Sequence, residues 1–254
     1  MCTLAIYRHA SRRYPLVLAA NRDEFFNRPA LAPRRLDELP DVVAGRDLSA
    51  GGTWLASRVA GPFLVAGLLN RRSLDPARAS APGSRSRGRL PLIAAACASV
   101  DEARTRVELE DLPSYGSFNL LVADRDRAVV LDNGGPVLRQ TQLGPGLSVL
   151  TNLDVNDPRC PRLATAYPAF EALGSLLAED PPLTTLTQHL RKVLSDHESS
   201  ADPGGTNPFA RVCIHLEHYG TRSSTIVVLQ DDGRVRYLHA EGPPCLAPFS
   251  EVAC

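Results

Sequence analysis

Two apolar runs open the chain, Cys2 to Tyr7 and Tyr14 to Ala20, joined by the polar stretch Arg8 to Arg13. Runs of this length and composition read as β-strands, and a short polar link between them makes an antiparallel hairpin. The second run, YPLVLAA, is apolar at every position instead of alternating. That pattern predicts a strand buried on both faces, which constrains the fold more than any other feature of the chain. A turn centred near residue 11 or 12 brings Cys2 opposite the segment Asn21-Arg22-Asp23-Glu24. Successive strand residues point to opposite faces, so Arg22 and Asp23 both reach Cys2 only if the strand has ended by that point.

Further hairpins follow. Phe25 to Ala50 reads as irregular, with Pro29, Pro33 and Pro40. Gly51-Gly52 opens a hairpin whose arms are Thr53 to Arg58 and Phe63 to Leu69, turning at Ala60-Gly61, with Asn70 at its far end. Arg71 to Arg89 reads as a solvated loop, although its six arginines could meet an acidic ligand. Leu90 to Cys97 is a buried helix, and Ser99 with Glu102 is a capping box for a second helix. Strands are expected at Phe118 to Ala123, Ala128 to Asp132, Val137 to Gln142 and Leu147 to Asn152, with Asn133-Gly134 as a turn. Helices near Pro161 to Ala178 and Leu183 to Ser195 precede strands at Val212 to Glu217, Ser223 to Leu229 and Val235 to Leu238. The tail from Glu241 reads as extended. Two antiparallel sheets packed face to face, with helices outside, use this order economically. No linker divides the chain, so it reads as one domain, residues 1–254, with an irregular tail from about 240.

Composition excludes several functions. With 28 basic and 28 acidic residues, the chain lacks the electrostatic footprint of a general nucleic-acid binder. Its apolar runs are too short to span a bilayer, and no secretory signal opens it, so a cytoplasmic protein with reduced thiols is expected. The six cysteines show no C-x-x-C spacing, so neither a zinc site nor a dithiol redox motif is signalled. His215 and His218, read as strand residues three apart, face opposite ways and do not form a joint metal site. Gly51-Gly52-Thr53-Trp54 reads as a hairpin entry with a packed tryptophan, since no P-loop lysine follows. Cys160-Pro161 reads as a turn cysteine, with thiolate ligation of haem as the sharper alternative.

Cys2 stands apart by position. Methionine is trimmed when a small side chain follows, and removal of Met1 would leave a thiol and a free α-amine on one residue. In model peptides that amine titrates at about 7.7–8.0 and the thiol at about 8.5. The amine can therefore take the thiol proton, so nucleophile and base come from one residue.

The blocks MCTLAIY, YPLVLAANRDEFFNRP and AGRDLSAGGTWLA closely resemble the NRDE family, the group of transport-and-Golgi-organisation protein 2. Ser86-Arg87-Gly88, FNLLVAD, Thr151-Asn152-Leu153 and YGTRSSTIVVL extend the match to about residue 238. The resemblance implies an α+β, four-layer αββα sandwich of the N-terminal-nucleophile hydrolase type, mainly antiparallel. It is similar to the penicillin-acylase and bile-salt-hydrolase branch, which cuts non-peptide amides through an acyl-enzyme. Carried over, Cys2 is the nucleophile and Arg22 and Asp23 flank the thiol and amine. Asn70 and Asn152 supply oxyanion donors, and Arg222 is the distal arginine. Asn21, Glu24, Trp54 and Arg87 are candidate substrate-binding residues. Taken singly, Asn21 and Arg22 also fit strand-end caps, Asp23 and Glu24 solvated acids, and Asn152 an Asx-turn.

Two functions are carried forward. One is an amidohydrolase acting on a small-molecule amide without a cofactor or metal. The other is a haem or acyl-lipid binding and trafficking protein that keeps the fold without the reaction; family members have been connected with both ligands.

Overall fold

The opening hairpin forms where the apolar pattern places it, but its second strand runs five residues further than the apolar run. In the computed structural model, which describes residues 2–72, 85–198, 202 and 204–254, β1 is Thr3–Arg8 and β2 is Leu16–Phe25. They pair antiparallel with Thr3 opposite Asn21 and Arg8 opposite Leu16. Leu16 to Ala20 are wholly buried, as a strand apolar on both faces must be. The polar turn between the strands is tied down from a distance. Asp180 Oδ1 accepts from Ser11 Oγ (2.6 Å), Arg12 N (2.9 Å) and Arg13 N (3.1 Å). These donors hold the Asp180 carboxyl at about 2, below the usual carboxylate range.

The chain forms two compact units. The first, Met1–Asn27 with Pro145–Val252, holds a six-stranded antiparallel sheet. The strands beside the hairpin are β10 (Gly146–Leu150), β11 (Tyr219–Leu229), β12 (Val235–Ala240) and β13 (Ser250–Val252), in the order β10-β1-β2-β11-β12-β13. Three helices, α3 (Leu163–Glu171), α4 (Leu173–Ala178) and α5 (Leu183–Leu194), cover one face. Ala5, Tyr7, Val17 and Ala19 from the sheet pack there with Phe170, Leu177, Leu186 and Leu190. All four sheet positions are odd-numbered, so the even-numbered residues of β1 and β2 point away from the helices.

The second unit, Arg28–Gly144 with Ala253–Cys254, is a seven-stranded antiparallel meander in sequence order. It comprises β3 (Ala30–Arg35), β4 (Val42–Asp47), β5 (Leu55–Arg58), β6 (Leu64–Asn70), β7 (Phe118–Ala123), β8 (Ala128–Asp132) and β9 (Arg139–Gln142). Helices α1 (Arg89–Ala95) and α2 (Val100–Glu108) pack their apolar faces on Leu64, Ala66, Phe118 and Leu120. Ser99 caps α2, its Oγ accepting from Glu102 N at 3.2 Å, while the Glu102 carboxylate reaches one residue past the cap and accepts from Ala98 N at 2.9 Å. Gly52 and Gly88 meet backbone to backbone. A Cβ on Gly52 would lie 2.4 Å from the Gly88 carbonyl carbon, and Thr53 N donates to Gly88 O at 2.9 Å. The Gly-Gly-Thr-Trp and Ser-Arg-Gly motifs are therefore two sides of one close approach that only glycine permits.

Two expectations fail. Phe25 to Ala50 is not irregular, because β3 and β4 lie within it. Pro33 is accommodated on an edge strand, at a register shift between Leu31 and Arg34. Val212 to Glu217 is not a strand; only His215 makes an isolated bridge, to Gly220. Its hydrogen bonds go to scattered partners instead of a ladder: Ile214 N donates to Thr221 Oγ1 at 3.0 Å, and Cys213 N to Asp196 O at 2.8 Å. Most of the arginine-rich stretch, residues 73–84, lies outside the described residues. The tail gains one short strand, β13, on β12. Among the described residues no helix is long and apolar enough to cross a membrane.

His239 on β12 is buried, with Nδ1 3.0 Å from Thr225 Oγ1. Burial pushes its imidazole down to about 4. The unfolded chain takes up this proton near pH 6.5 and the folded chain does not, so stability is full above about 6.5 and is lost as pH falls towards 4. The loss attributable to this residue is about 3 kcal/mol. Urea unfolding of wild type and His239→Gln across that window should show the variant losing correspondingly less.

Candidate functional site

Three strand ends of the first unit converge on Cys2. It lies one residue before β1, whose neighbours are β2 and β10. The ladder pairs Thr3 with Asn21 on one side and Leu4 with Leu150 on the other. Continuing each register brings Arg22 and Asn152 level with Cys2, one from each neighbouring strand. Next to β2, the β11 ladder pairs Thr221 with Asp23 but Ser223 with Arg22. Arg222 is therefore the extra residue of a β-bulge, a device that re-aims a side chain at a sheet edge or site. Asn152, Cys2, Arg22 and Arg222 thus form one row across the end of the sheet. The Nε of Arg222 is buried without a hydrogen-bond partner among the described residues.

The Cys2 thiol is partly buried and donates to the Asp23 carbonyl oxygen at 3.8 Å. Burial raises its pKa most, against the chain-terminal ammonium, which lowers it; the Asp23 charge adds to the rise, and Arg22 opposes it. The net direction is upward, so this thiol is protonated at neutral pH. Tyr219 Oη donates to the same Asp23 carbonyl at 3.3 Å, and burial raises its pKa too, so it stays a neutral donor. Phe25 meets the Tyr219 ring edge-on and Phe209 meets it at a tilt, with centroids 5.2 and 5.9 Å away. Both phenylalanines are exposed, by 55% and 40%. Beside the thiol the protein therefore presents a small aromatic wall to solvent.

The parity conflict between Arg22 and Asp23 is resolved by division of labour. The strand does not end, and the Asp23 side chain leaves on the opposite, helix-covered face. There its carboxylate accepts from Arg162 Nη1 at 2.6 Å and from Thr221 Oγ1 at 2.8 Å. Arg162 also donates to Thr3 Oγ1 at 2.9 Å and from Nε to Phe209 O at 3.2 Å. Both side chains of the Arg162–Asp23 pair are fully buried. Arg162 was missed at the sequence level because nothing local marks it; it is an ordinary arginine just before a helix, 139 residues from its partner.

The other candidates are placed as follows. Asn21 is committed inside the protein: its Nδ2 donates to Leu194 O (2.8 Å) and Val212 O (3.0 Å), and its Oδ1 accepts from Ser224 Oγ. It fastens β2 to the end of α5, which corrects the substrate-binding expectation for it. The Glu24 carboxylate lies 3.7 Å from the Arg22 guanidinium, two residues further along β2. Asn152 is partly buried, and its amide makes no hydrogen bond among the described residues. Asn70, Trp54 and Arg87 belong to the second unit. There Asn70 is the exposed end of β6 opposite Phe118, the Trp54 carbonyl accepts from Leu68 N at 2.7 Å, and Arg87 donates to Ser117 O at 2.9 Å. Cys160 is buried in the helix-side core.

A solved structure supports the fold. The Caenorhabditis elegans N-acylethanolamine-hydrolyzing acid amidase ortholog superposes with a TM-score of 0.57, covering 90% of this chain and 92% of that one at 14% identity. At that identity the likeness speaks for the fold, which is that of the N-terminal-nucleophile hydrolases. Sequence relatives are nearer. The Bos taurus transport and Golgi organization protein 2 homolog is 29% identical over 245 residues, and the Mus musculus homolog 30% over 250. Each match covers 88% of this chain and 85% of the relative. The Drosophila melanogaster protein is 26% identical over 251 residues, with 89% and 85% covered. The family model for transport and Golgi organisation 2 matches residues 1–241, and the chain belongs to that family.

Proposed function

We propose that the protein is an N-terminal-cysteine amidohydrolase that cleaves a linear, non-peptide amide C–N bond through an acyl-enzyme. The observation that carries this reading is the row Asn152–Cys2–Arg22–Arg222, which sets a thiol between an uncommitted amide and two guanidinium groups. In the unprocessed chain the thiol is protonated. Removal of Met1 would place the α-amine on Cys2 itself, where it takes the thiol proton as sulfur attacks the carbonyl carbon. The Asn152 amide N–H then stabilises the oxyanion, a contribution of about 3 kcal/mol for such a donor. Collapse breaks the C–N bond, the leaving amine takes the proton, and water hydrolyses the thioester. The aromatic wall of Phe25, Phe209 and Tyr219 suits an apolar acyl group. The nematode amidase is named for hydrolysing N-acylethanolamines, so amides of that kind are the first to test.

Intact-mass measurement and electrophile labelling test the reading together. The functional protein should lack Met1, and a mild alkylating probe should mark Cys2 ahead of the other five cysteines at neutral pH. A chain that keeps Met1 should label slowly at neutral pH and faster only in the alkaline range, because burial raises this thiol. Retained Met1 in active protein would rule out the amine as base. Tight haemin binding that ignores Cys2→Ala, with no amide turnover, would favour the carrier reading.

A further inference from the structure

Away from the Cys2 row, four side chains of the first unit converge from three segments. His197 follows α5, Cys213 and His215 lie in the loop entering β11, and Cys245 lies in the turn after β12. One ligand-capable atom from each lies within 4.8 Å of all the others. Cys213 Sγ is 3.8 Å from Cys245 Sγ and 3.6 Å from His215 Nε2, and His215 Nε2 is 3.2 Å from Cys245 Sγ. The His197 and His215 rings are 5.0 Å apart.

A tetrahedral zinc ion has bonds of about 2.3 Å to sulfur and 2.0–2.1 Å to nitrogen. Its sulfurs then stand about 3.8 Å apart, and each sulfur about 3.6 Å from each nitrogen. Of the three edges among Cys213, His215 and Cys245, the sulfur pair and one sulfur–nitrogen edge match these values, and the second sulfur–nitrogen edge is within about 0.4 Å. We propose that His197, Cys213, His215 and Cys245 form a structural zinc site of the Cys2His2 type.

The donor set supports zinc. Two thiols and two imidazoles, with no carboxylate among them, select a borderline-soft ion over magnesium or calcium. Four protein ligands fill a tetrahedron and leave no open position, which makes the site structural and not catalytic. On binding, each thiol releases its proton to solvent. His197 Nδ1 lies 3.2 Å from Cys213 O. A carbonyl can only accept, so Nδ1 carries the hydrogen, the type of contact that holds a ligating imidazole in one tautomer. A Cys213–Cys245 disulfide would use two of the four groups and leave the convergence of the imidazoles without a purpose.

The ion would tie the tail to a loop already fastened to the Cys2 row. Asn21 Nδ2 bonds Val212 O, and Ile214 N bonds Thr221 Oγ1, which itself donates to the Asp23 carboxylate. Arg191 Nε adds a bond from α5 to Pro244 O at 3.0 Å.

The test uses the untagged full chain purified under reductant. Elemental analysis should find one zinc per chain. After chelation, cobalt(II) should restore binding, with thiolate-to-cobalt charge-transfer absorption and the intense visible bands of a tetrahedral ion. Cys245→Ser lies in a surface turn and is chosen because it spares the core; it and His197→Ala should each weaken zinc binding by at least about tenfold. Cys254→Ser, an exposed cysteine outside the cluster, should bind as wild type. The proposal is overturned if reduced wild type takes up neither zinc nor cobalt stoichiometrically. It is equally overturned if the cobalt spectrum lacks thiolate character or if folded Cys245→Ser binds undiminished.

Discussion

Cys2→Ala should lower amide turnover by on the order of 10⁴-fold or more, while leaving the fold intact. The magnitude is that of removing the nucleophile from an acyl-transfer site, where no other group can form the covalent intermediate. The fold should survive because, among the described residues, the Cys2 thiol makes a single long hydrogen bond, 3.8 Å to the Asp23 carbonyl, and sits outside the β1 ladder. Cys2→Ser separates the two roles of the residue: it keeps the α-amine and offers a weaker nucleophile, so it should retain slow turnover above the alanine variant. A short N-terminal extension that resists processing keeps the thiol and removes the amine, and it should be as inactive as Cys2→Ala. Steady-state rates on N-acyl amides with apolar acyl chains read all three. Full activity of the extended protein would exclude the amine as base, and full activity of Cys2→Ala would exclude the hydrolase mechanism.

Arg162→Met should destabilise the protein by about 3–5 kcal/mol, measured by urea unfolding. The guanidinium is buried, and its loss leaves the Asp23 carboxylate uncompensated beneath the sheet. The double variant Arg162→Met with Asp23→Asn should recover much of that loss, because the buried charge goes with its partner. A double-mutant cycle therefore gives strong coupling between two residues far apart in sequence. Additive effects would show that the pair is not energetically joined. The same bonds connect this pair to the site: Arg162 holds Thr3 and Phe209, next to Cys2 and in the aromatic wall. Loss of Arg162 should therefore also reduce turnover in the fraction that remains folded.

Much of the architecture was legible from local signals. The continuous apolar run of β2, the Ser99 cap and the Asn133-Gly134 turn each act within a few residues, and each lies where the pattern placed it. Cys2 could be singled out for a similar reason, since its candidacy rests on chain position and the reach of one hairpin. β3 was hidden because proline and charged residues are tolerated on an edge strand, where one side needs no ladder partner; β4 is paired on both sides, but its apolar stretch is only Val42 to Ala44. Arg87, Trp54 and Asn70 carry recognisable motifs, yet what each touches is a matter of backbone approach within the second unit.

The chain alone determined most of the strand and helix order, the antiparallel character and the identity of the nucleophile candidate, because these depend on side-chain periodicity, turn chemistry and neighbours a few residues away. Tertiary structure decided everything set by long-range register. It divided Arg22 from Asp23 between two faces and made Arg222 a bulge residue level with Cys2. It buried Arg162 against Asp23, and it drew His197, Cys213, His215 and Cys245 together from a helix end, a loop and a tail. Spacing rules for metal ligands work when ligands come in pairs on one turn. Here the ligands come from segments joined only by the folded sheet, so no spacing in the chain could announce them.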